Sequence, residues 1–480
     1  MDTLTKGPVP RQLLSLALPL LASNILQQLY NTVDVTITGR YVGGEAFAAV
    51  GVSGSVMNLF LFLITGVCTG CGALFSQFHG AGREDAFRRE FFLASVFGGV
   101  FVLALSLLAF ITLPPLLKLL RTPEEIIQPA SIYLHVIFLG LLPAFAYQLG
   151  FAVLRSIGST AAALLFLAVS MAANLFLDIL LVAVFGRGVA GAAWATVLSQ
   201  TLSAVLCLAY LRRRFPRLVF RREDMRCDLS LLRQIVRFSL VSALHMCSLY
   251  IGKLLVQGTV NSLGAGDIKA YTAAARVEGF ANSFGDSGAA SMSVFVGQNT
   301  GAGNSRRVRQ GFFIGEGMLA LLGLGMSALM LAGAVPALSL VLPADGGTEA
   351  LPAAAGYLRL VACFYVFNFL GSGMVGYFQG RGLVHLPVVG AAGHITLRVI
   401  LSAALASRMG LPAVALATGL GWAGVVSCWV FPLGRDLRKM EKEGQIRGES
   451  CRRAPQVRSC PSCGRDSDVK DGGKCRQAAD

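Results

Sequence analysis

A carboxylate in the middle of an apolar run is the first residue of this chain that could do chemistry. The stretch from Pro19 to Gly43 is long enough to cross a bilayer, and Asp34 lies inside it. Asn24, Gln27, Asn31, Asp34 and Thr38 recur at alternating steps of three and four, so on a helix they share one face. Lipid excludes such a stripe, which must look into a bundle interior or a water-filled cavity. Ser170, Asn174 and Asp178, spaced by four, form a second stripe in another apolar run, and Thr196, Gln200 and Ser203 a weaker third. Two carboxylates facing one cavity can take up and release a proton as a unit. The same Asp and Asn oxygens can instead ligate sodium. The bland alternative is that Asp34 only hydrogen-bonds a neighbouring helix.

The elements that must position these groups are membrane spans. The chain has 480 residues, 54% hydrophobic and only 14% charged, with a mean hydropathy of +0.64; a soluble chain carries about a quarter charged residues. Apolar runs near 13–38, 47–78, 91–113, 131–153, 162–185, 191–211, 235–262, 270–297, 312–341, 354–379, 387–407 and 412–433 predict twelve transmembrane helices. The first run is too long for the apolar core of a signal peptide and lacks a small-residue cleavage site, so it reads as a retained span. The net charge is +15, but the arginines crowd into short connections rather than forming a nucleic-acid surface. Arg83, Arg88 and Arg89 lie in the second connection, Arg155 in the fourth, Arg306, Arg307 and Arg309 in the eighth, and Arg381 in the tenth. The sixth, from Arg212 to Arg233, is densest. By the positive-inside rule both termini are expected in the cytoplasm.

The halves on either side of the sixth connection repeat each other. An offset of 221 residues puts Gln77 on Gln298 and Gly80-Ala81-Gly82 on Gly301-Ala302-Gly303; offsets of 224 and 222 then put Gly158 on Gly382 and Ala195-Thr196 on Ala417-Thr418. The expected organisation is an all-α, two-lobed polytopic protein: an N-terminal six-helix lobe over 1–211, a basic linker over 212–234, a C-terminal six-helix lobe over 235–434 and a disordered tail over 435–480. Parallel repeats with a midplane site between them are a transporter architecture.

With GRYVGGEAFAAVGV, SQFHGAG, LRSIGST, NLFLDILL, GVAGAAWATVLSQ and FVGQNTGAG, residues 10 to 435 resemble the multidrug and toxic compound extrusion (MATE) transporters. The resemblance implies a V-shaped pair of lobes in the cell membrane, exporting organic, often cationic or amphiphilic compounds in exchange for protons or sodium. It implies that Asp34, Asn174 and Asp178 form the cation-responsive network, bacterial type, in the N-terminal lobe. It also implies that Pro19 is where the first helix bends, and proline does delete one helical hydrogen bond. Tyr30, Asn31, Gln148, Thr196 and Gln200 are further candidates for the network or for cargo; the family more often has Asn where Gln148 stands. The expected partners are a small organic molecule and the lipid bilayer, with no nucleic acid, no cofactor beyond the coupling ion, and a monomeric state.

In the C-terminal half Tyr271, Glu278, Asn282 and Asp286 share a face of the eighth span, Lys253 lies in the seventh and Arg398 in the eleventh. Buried charges in lipid usually pair, so Lys253 or Arg398 is expected to contact Glu278 or Asp286. These cations also sustain an alternative, a flippase for lipid-linked oligosaccharides, whose cargo carries a pyrophosphate. A remote alternative is an intramembrane serine protease, from Gly51-Val52-Ser53-Gly54 or Gly285-Asp286-Ser287-Gly288, either of which needs a histidine in reach. In the tail, Cys460 and Cys463 have the spacing of a zinc pair, but Cys451 and Cys475 complete no regular set, and no metal is assigned.

Overall fold

A computed structural model describes residues 4–42, 44–119, 122–342 and 349–453, and the side chains of 4–30, 49–118, 122–342 and 349–442. Among them there are helices and no strands. A chain of this composition has little choice, because in hydrocarbon each backbone polar group must find its partner within its own segment. The first half comprises α1 (Val9–Val42), α2 (Gly44–Gly80), α3 (Glu84–Leu119), α4 (Glu124–Leu139), α5 (Leu141–Ser156), α6 (Thr160–Asp178) and α7 (Gly188–Arg214). The second comprises α8 (Leu229–Asn261), α9 (Ala265–Gly301), α10 (Ser305–Ser339), α11 (Leu351–Ala362), α12 (Tyr365–Arg381), α13 (His385–Met409) and α14 (Leu411–Arg453).

Fourteen helices make twelve crossings because α4–α5 and α11–α12 are single spans bent by 48° and 55°. The α4–α5 break falls at Gly140, where a methyl group would overlap the Val197 side chain of α7. The repeat survives in the turns. Gly158 after α5 and Gly382 after α12, matched in sequence, both have left-handed backbone, φ +83° and +79°. Nine of the described helices are long and apolar enough to span, and the bent pairs bring the number to 11. The twelfth is α9, whose Asp267, Lys269, Arg276, Glu278 and Asp286 disqualify it on composition. Packing accounts for it, since α9 is wedged among α1, α2, α10, α11 and α12 and presents little surface to lipid.

The halves meet along two related seams, α1 against α9 and α2 against α8. On the second, methyl groups at Gly66 and Gly70 would overlap the α8 backbone at Ala243 and Phe238, and Tyr250 Oη donates to the Ser55 carbonyl at 2.8 Å. One apolar cluster fills the N-terminal half and reaches Ile235 and Ala243 of α8. A second fills the C-terminal half. A third joins Leu4, Val9, Leu13 and Leu16 to Phe295, Phe312 and Tyr377. The first helix of each half therefore starts on the other half's core.

All four ion pairs among the described residues lie at the arginine-bearing end of the bundle. Two of them revise the predicted boundaries. The segment after α7 docks on α3: Phe220 packs edge-on against Phe91 and Phe92, Leu218 is buried, and Arg88 bonds Asp224 at 2.8 Å, the Arg217 carbonyl at 3.2 Å, and Asp85. Helix α14 also continues past Arg435, where composition predicts disorder. It does so because Asp436 accepts from Arg381 at 2.9 and 3.0 Å and from Tyr377 at 2.6 Å, while Met440 is buried. Cys460 and Cys463 lie outside the described residues.

Burial works against ionisation of Asp224, but the Arg221 N–H and the Arg88 guanidinium outweigh it and hold its carboxyl below the ordinary carboxylate range. A depressed folded pKa contributes stability that is complete above the unfolded value and lost as pH falls through the folded one. The connection should stay docked at neutral pH and loosen only in strong acid. Asp224→Asn should free it at neutral pH, raising tryptic cleavage between Arg212 and Arg226 on the order of tenfold, the loss of one charge-assisted hydrogen bond. Unchanged cleavage would show that the aromatic contacts alone hold the segment.

Candidate functional site

The N-terminal candidates fall into two sets. Ser170, Asn174 and Asp178 share the buried face of α6, with Asn174 1% and Asp178 2% exposed. Ser170 donates to the Ser199 carbonyl of α7 at 2.9 Å, which fixes the rotation of α6 and leaves the Asn174 amide with no hydrogen-bond partner among the described residues. Helix α1 packs along α6 and touches the segment that follows it. That segment, Ile179–Val184, is a π-helix beginning immediately after Asp178. Its wider turn brings the Phe185 N–H to the Leu180 carbonyl and the Arg187 N–H to the Leu181 carbonyl, both at 2.9 Å. Insertions of this kind recur at functional sites. No residue type in ILLVAV announced it.

The second set faces the lobe's own core. Thr196 and Gln200 line a small cleft with Met57, Leu61, Gly140 and Ala144, and Gln148 donates to Thr65 Oγ1 at 2.9 Å. These residues lie among α2, α4, α5 and α7, and among the described residues no hydrogen bond joins them to Asn174.

In α1 the helix runs through Asn31 and Asp34, but those two side chains lie outside the described residues. The described part of the stripe looks across the seam. Asn24 donates to Ser287 Oγ at 3.0 Å and to the Ser283 carbonyl at 3.4 Å, both on α9, and Gln28 lies against Gly279 one turn further along. Tyr30 is partly buried next to this region. Pro19 stands inside α1 and cannot bond the Ser15 carbonyl, which instead receives Thr160 Oγ1 of α6 at 3.5 Å. A bond that long constrains the helix little.

In the C-terminal half the expected direct ion pair is absent among the described residues. Tyrosines stand between the charges. Arg398 donates to Tyr271 Oη at 3.4 Å, Tyr271 packs edge-on against Tyr357 at 5.5 Å, and Tyr357 donates to Glu278 at 3.5 Å. Lys253 and Arg398 act on Glu278 only through space, as Lys253 does on Asp286. The Asp286 side chain is exposed on α9. Asn368 completes this face by donating to Asn282 at 2.8 Å. Sequence reasoning also passed over Glu90 and Glu316, buried acids on the third helix of each half, whose oxygens have no hydrogen-bond partner among the described residues. Glu316 is a lone acid in an apolar run, whereas Glu90 follows Arg88 and Arg89 at the edge of one and carries no such signal.

Ser53 and Ser287 are buried and donate to carbonyls, of Ala130 and Ser283, and among the described residues no histidine is hydrogen-bonded to either. Nor does any cluster of His, Cys, Asp and Glu among the described residues suit a metal ion. The tyrosine relay makes a specific expectation. Arg398→Met and Tyr271→Phe should cost less together than the sum of the single losses, by about 1 kcal/mol, whereas Lys253→Met and Glu278→Gln should add within about 0.5 kcal/mol. Thermal unfolding in detergent measures both cycles, and strong coupling in the second would restore a direct pair.

Comparison with known proteins agrees with this architecture. The MatE family profile matches residues 19–180 and again 242–404, one match in each half. The "Probable multidrug resistance protein YpnP" of Bacillus subtilis is 28% identical over 63% of this chain and 68% of its own length. The "Probable multidrug resistance protein NorM" of Thermotoga maritima is 28% identical over 65% and 69%. A solved structure described as the outward-facing conformation of a multidrug resistance MATE family transporter superposes with a TM-score of 0.84 at 20% identity, covering 92% of this chain and 98% of that one. With twelve crossings, two related halves and a family match in each, this chain belongs to the MatE family of membrane transporters, which are not enzymes.

Proposed function

We propose that the protein is a secondary active antiporter that exports organic, cationic or amphiphilic compounds in exchange for protons or sodium. Asp34, Asn174 and Asp178 bind the coupling cation. The observation that carries this reading is the burial of Asn174 and Asp178 on α6, a helix packed against both α7 and α1, the helix that holds Asp34, with a π-helix beginning immediately after Asp178. An exchangeable cation suits a buried polar set whose amide has no hydrogen-bond partner among the described residues. Binding it in place of a charge-charge repulsion would change how α1 lies on α6, and Pro19 supplies a point at which α1 can bend. The relatives' names, both multidrug resistance proteins, support the same direction of transport. The arginine-bearing end is cytoplasmic in this reading, by the positive-inside rule. The membrane potential then drives the inward step by about 2.3 kcal/mol per charge per 100 mV.

Everted vesicles test this. A cationic dye should accumulate when a proton or a sodium gradient is imposed alone, and whichever gradient suffices identifies the ion. Asp34→Asn and Asp178→Asn should each lower that flux at least tenfold while the protein remains in the membrane. Gradient-driven flux that survives both substitutions removes the cation site from the N-terminal half. Transport of a pyrophosphate-linked lipid instead of the dye would favour the flippase alternative.

A further inference from the structure

The residues of SQFHGAG and GQNTGAG that align in the two halves also touch each other in space. Gly80 at the end of α2 crosses Gln298 of α9 so closely that a methyl group would overlap the Gln298 carbonyl, and Gly301 crosses Gln77 in the same way. The offset that puts Gly80 on Gly301 puts Gln77 on Gln298, so the two crossings exchange under the repeat symmetry. Their side chains follow the same rule. Gln298 Nε2 donates to the Ser156 carbonyl of α5 at 2.7 Å, and Gln77 Nε2 donates to the Gly380 carbonyl of α12 at 2.9 Å. Ser156 and Gly380 are themselves matched at the offset of 224. Each bond runs from one half to the other, at the end of the bundle where the arginines lie.

We propose that Gln77 and Gln298 are paired latches, and that both bonds must break before the space between the lobes opens at the arginine-bearing end. Glutamine suits the task because it bonds a carbonyl across a seam without bringing a charge that would cost several kcal/mol to desolvate. The glycines suit it because only a bare backbone lets α2 and α9 approach until the amide reaches the next helix. The two latches are not equivalent. Gln298 is fully buried, and its Oε1 also accepts from the Leu4 N–H at 3.0 Å, while Leu4 O receives Asn299 Nδ2 at 3.3 Å and Arg307 Nε at 3.1 Å. Gln77 is only partly buried. The N-terminal segment therefore braces one latch and not the other, and Gln77 should release first.

The inference rests on the reading of the protein as an alternating transporter, but its test does not use transport. Hydrogen exchange of the full chain in lipid nanodiscs, with no cargo and no ion gradient, reports on amides 70–82 and 291–303 directly. One net hydrogen bond corresponds to about a fivefold change in an opening equilibrium, so Gln77→Ala and Gln298→Ala together should speed exchange in both segments about twenty-five-fold. Gln298→Ala alone should do more than Gln77→Ala alone, because it removes two hydrogen bonds, to Ser156 and from Leu4, where the other removes one. Gly301→Ala should open the same crossing by steric overlap with both glutamines intact. Wild-type protection in the double variant and in Gly301→Ala overturns the proposal. So does faster exchange spread equally over α3 and α4, which would mark general loosening. Failure of the dye assay, with the exchange result as expected, would sink the exporter reading and leave the latch standing.

Discussion

Polar side chains at bilayer depth have to be turned away from lipid, and the placement of α1, α6 and α9 follows from that constraint. Each carries a stripe of polar side chains that lipid would exclude. Each accordingly lies where the lobes meet or where one lobe folds on itself: α1 against α6 and α9, α9 among α1, α2, α10, α11 and α12. The constraint explains why α9, the span that fails on composition, is among the most enclosed. It also puts Asn24, Ser283 and Ser287 in contact, polar groups that face one another because lipid offers them no other partner.

Within that frame the backbone of the N-terminal half departs from regular helix at two places. Pro19 removes a bond from α1, and the π-helix at Ile179–Val184 widens the end of α6. Both loosen a helix that holds a candidate cation ligand. A rigid pair of helices would bind a cation without moving, whereas a helix already short of a hydrogen bond converts a small change of charge into a change of angle.

The charges divide by depth. At the arginine-bearing end they pair directly, Arg88 with Asp224 and Arg381 with Asp436, and these pairs pin the connection and α14 to their lobes. At mid-depth tyrosines replace the direct pairs, linking Arg398 to Glu278 through Tyr271 and Tyr357. Hydroxyl groups spread the desolvation cost over several bonds and avoid concentrating it on one contact. Lys253 and Asp286, both exposed, are not forced into a direct pair by burial.

By itself the sequence determined the class of protein, its twelve crossings, its internal repeat and the residues at which acids and amides recur on one face. These are properties of composition and period, which local geometry dictates. The tertiary structure decided what each polar group meets. It turned Thr196 and Gln200 into their own lobe, placed tyrosines between Arg398 and Glu278, extended α14 beyond Arg435 through the Asp436 pairs, and widened α6 after Asp178. It also brought the repeated glutamines and glycines together across the seam. Period fixes which face of a helix a residue occupies, but the neighbour waiting there comes from another part of the chain, and only the packed bundle brings the two into contact.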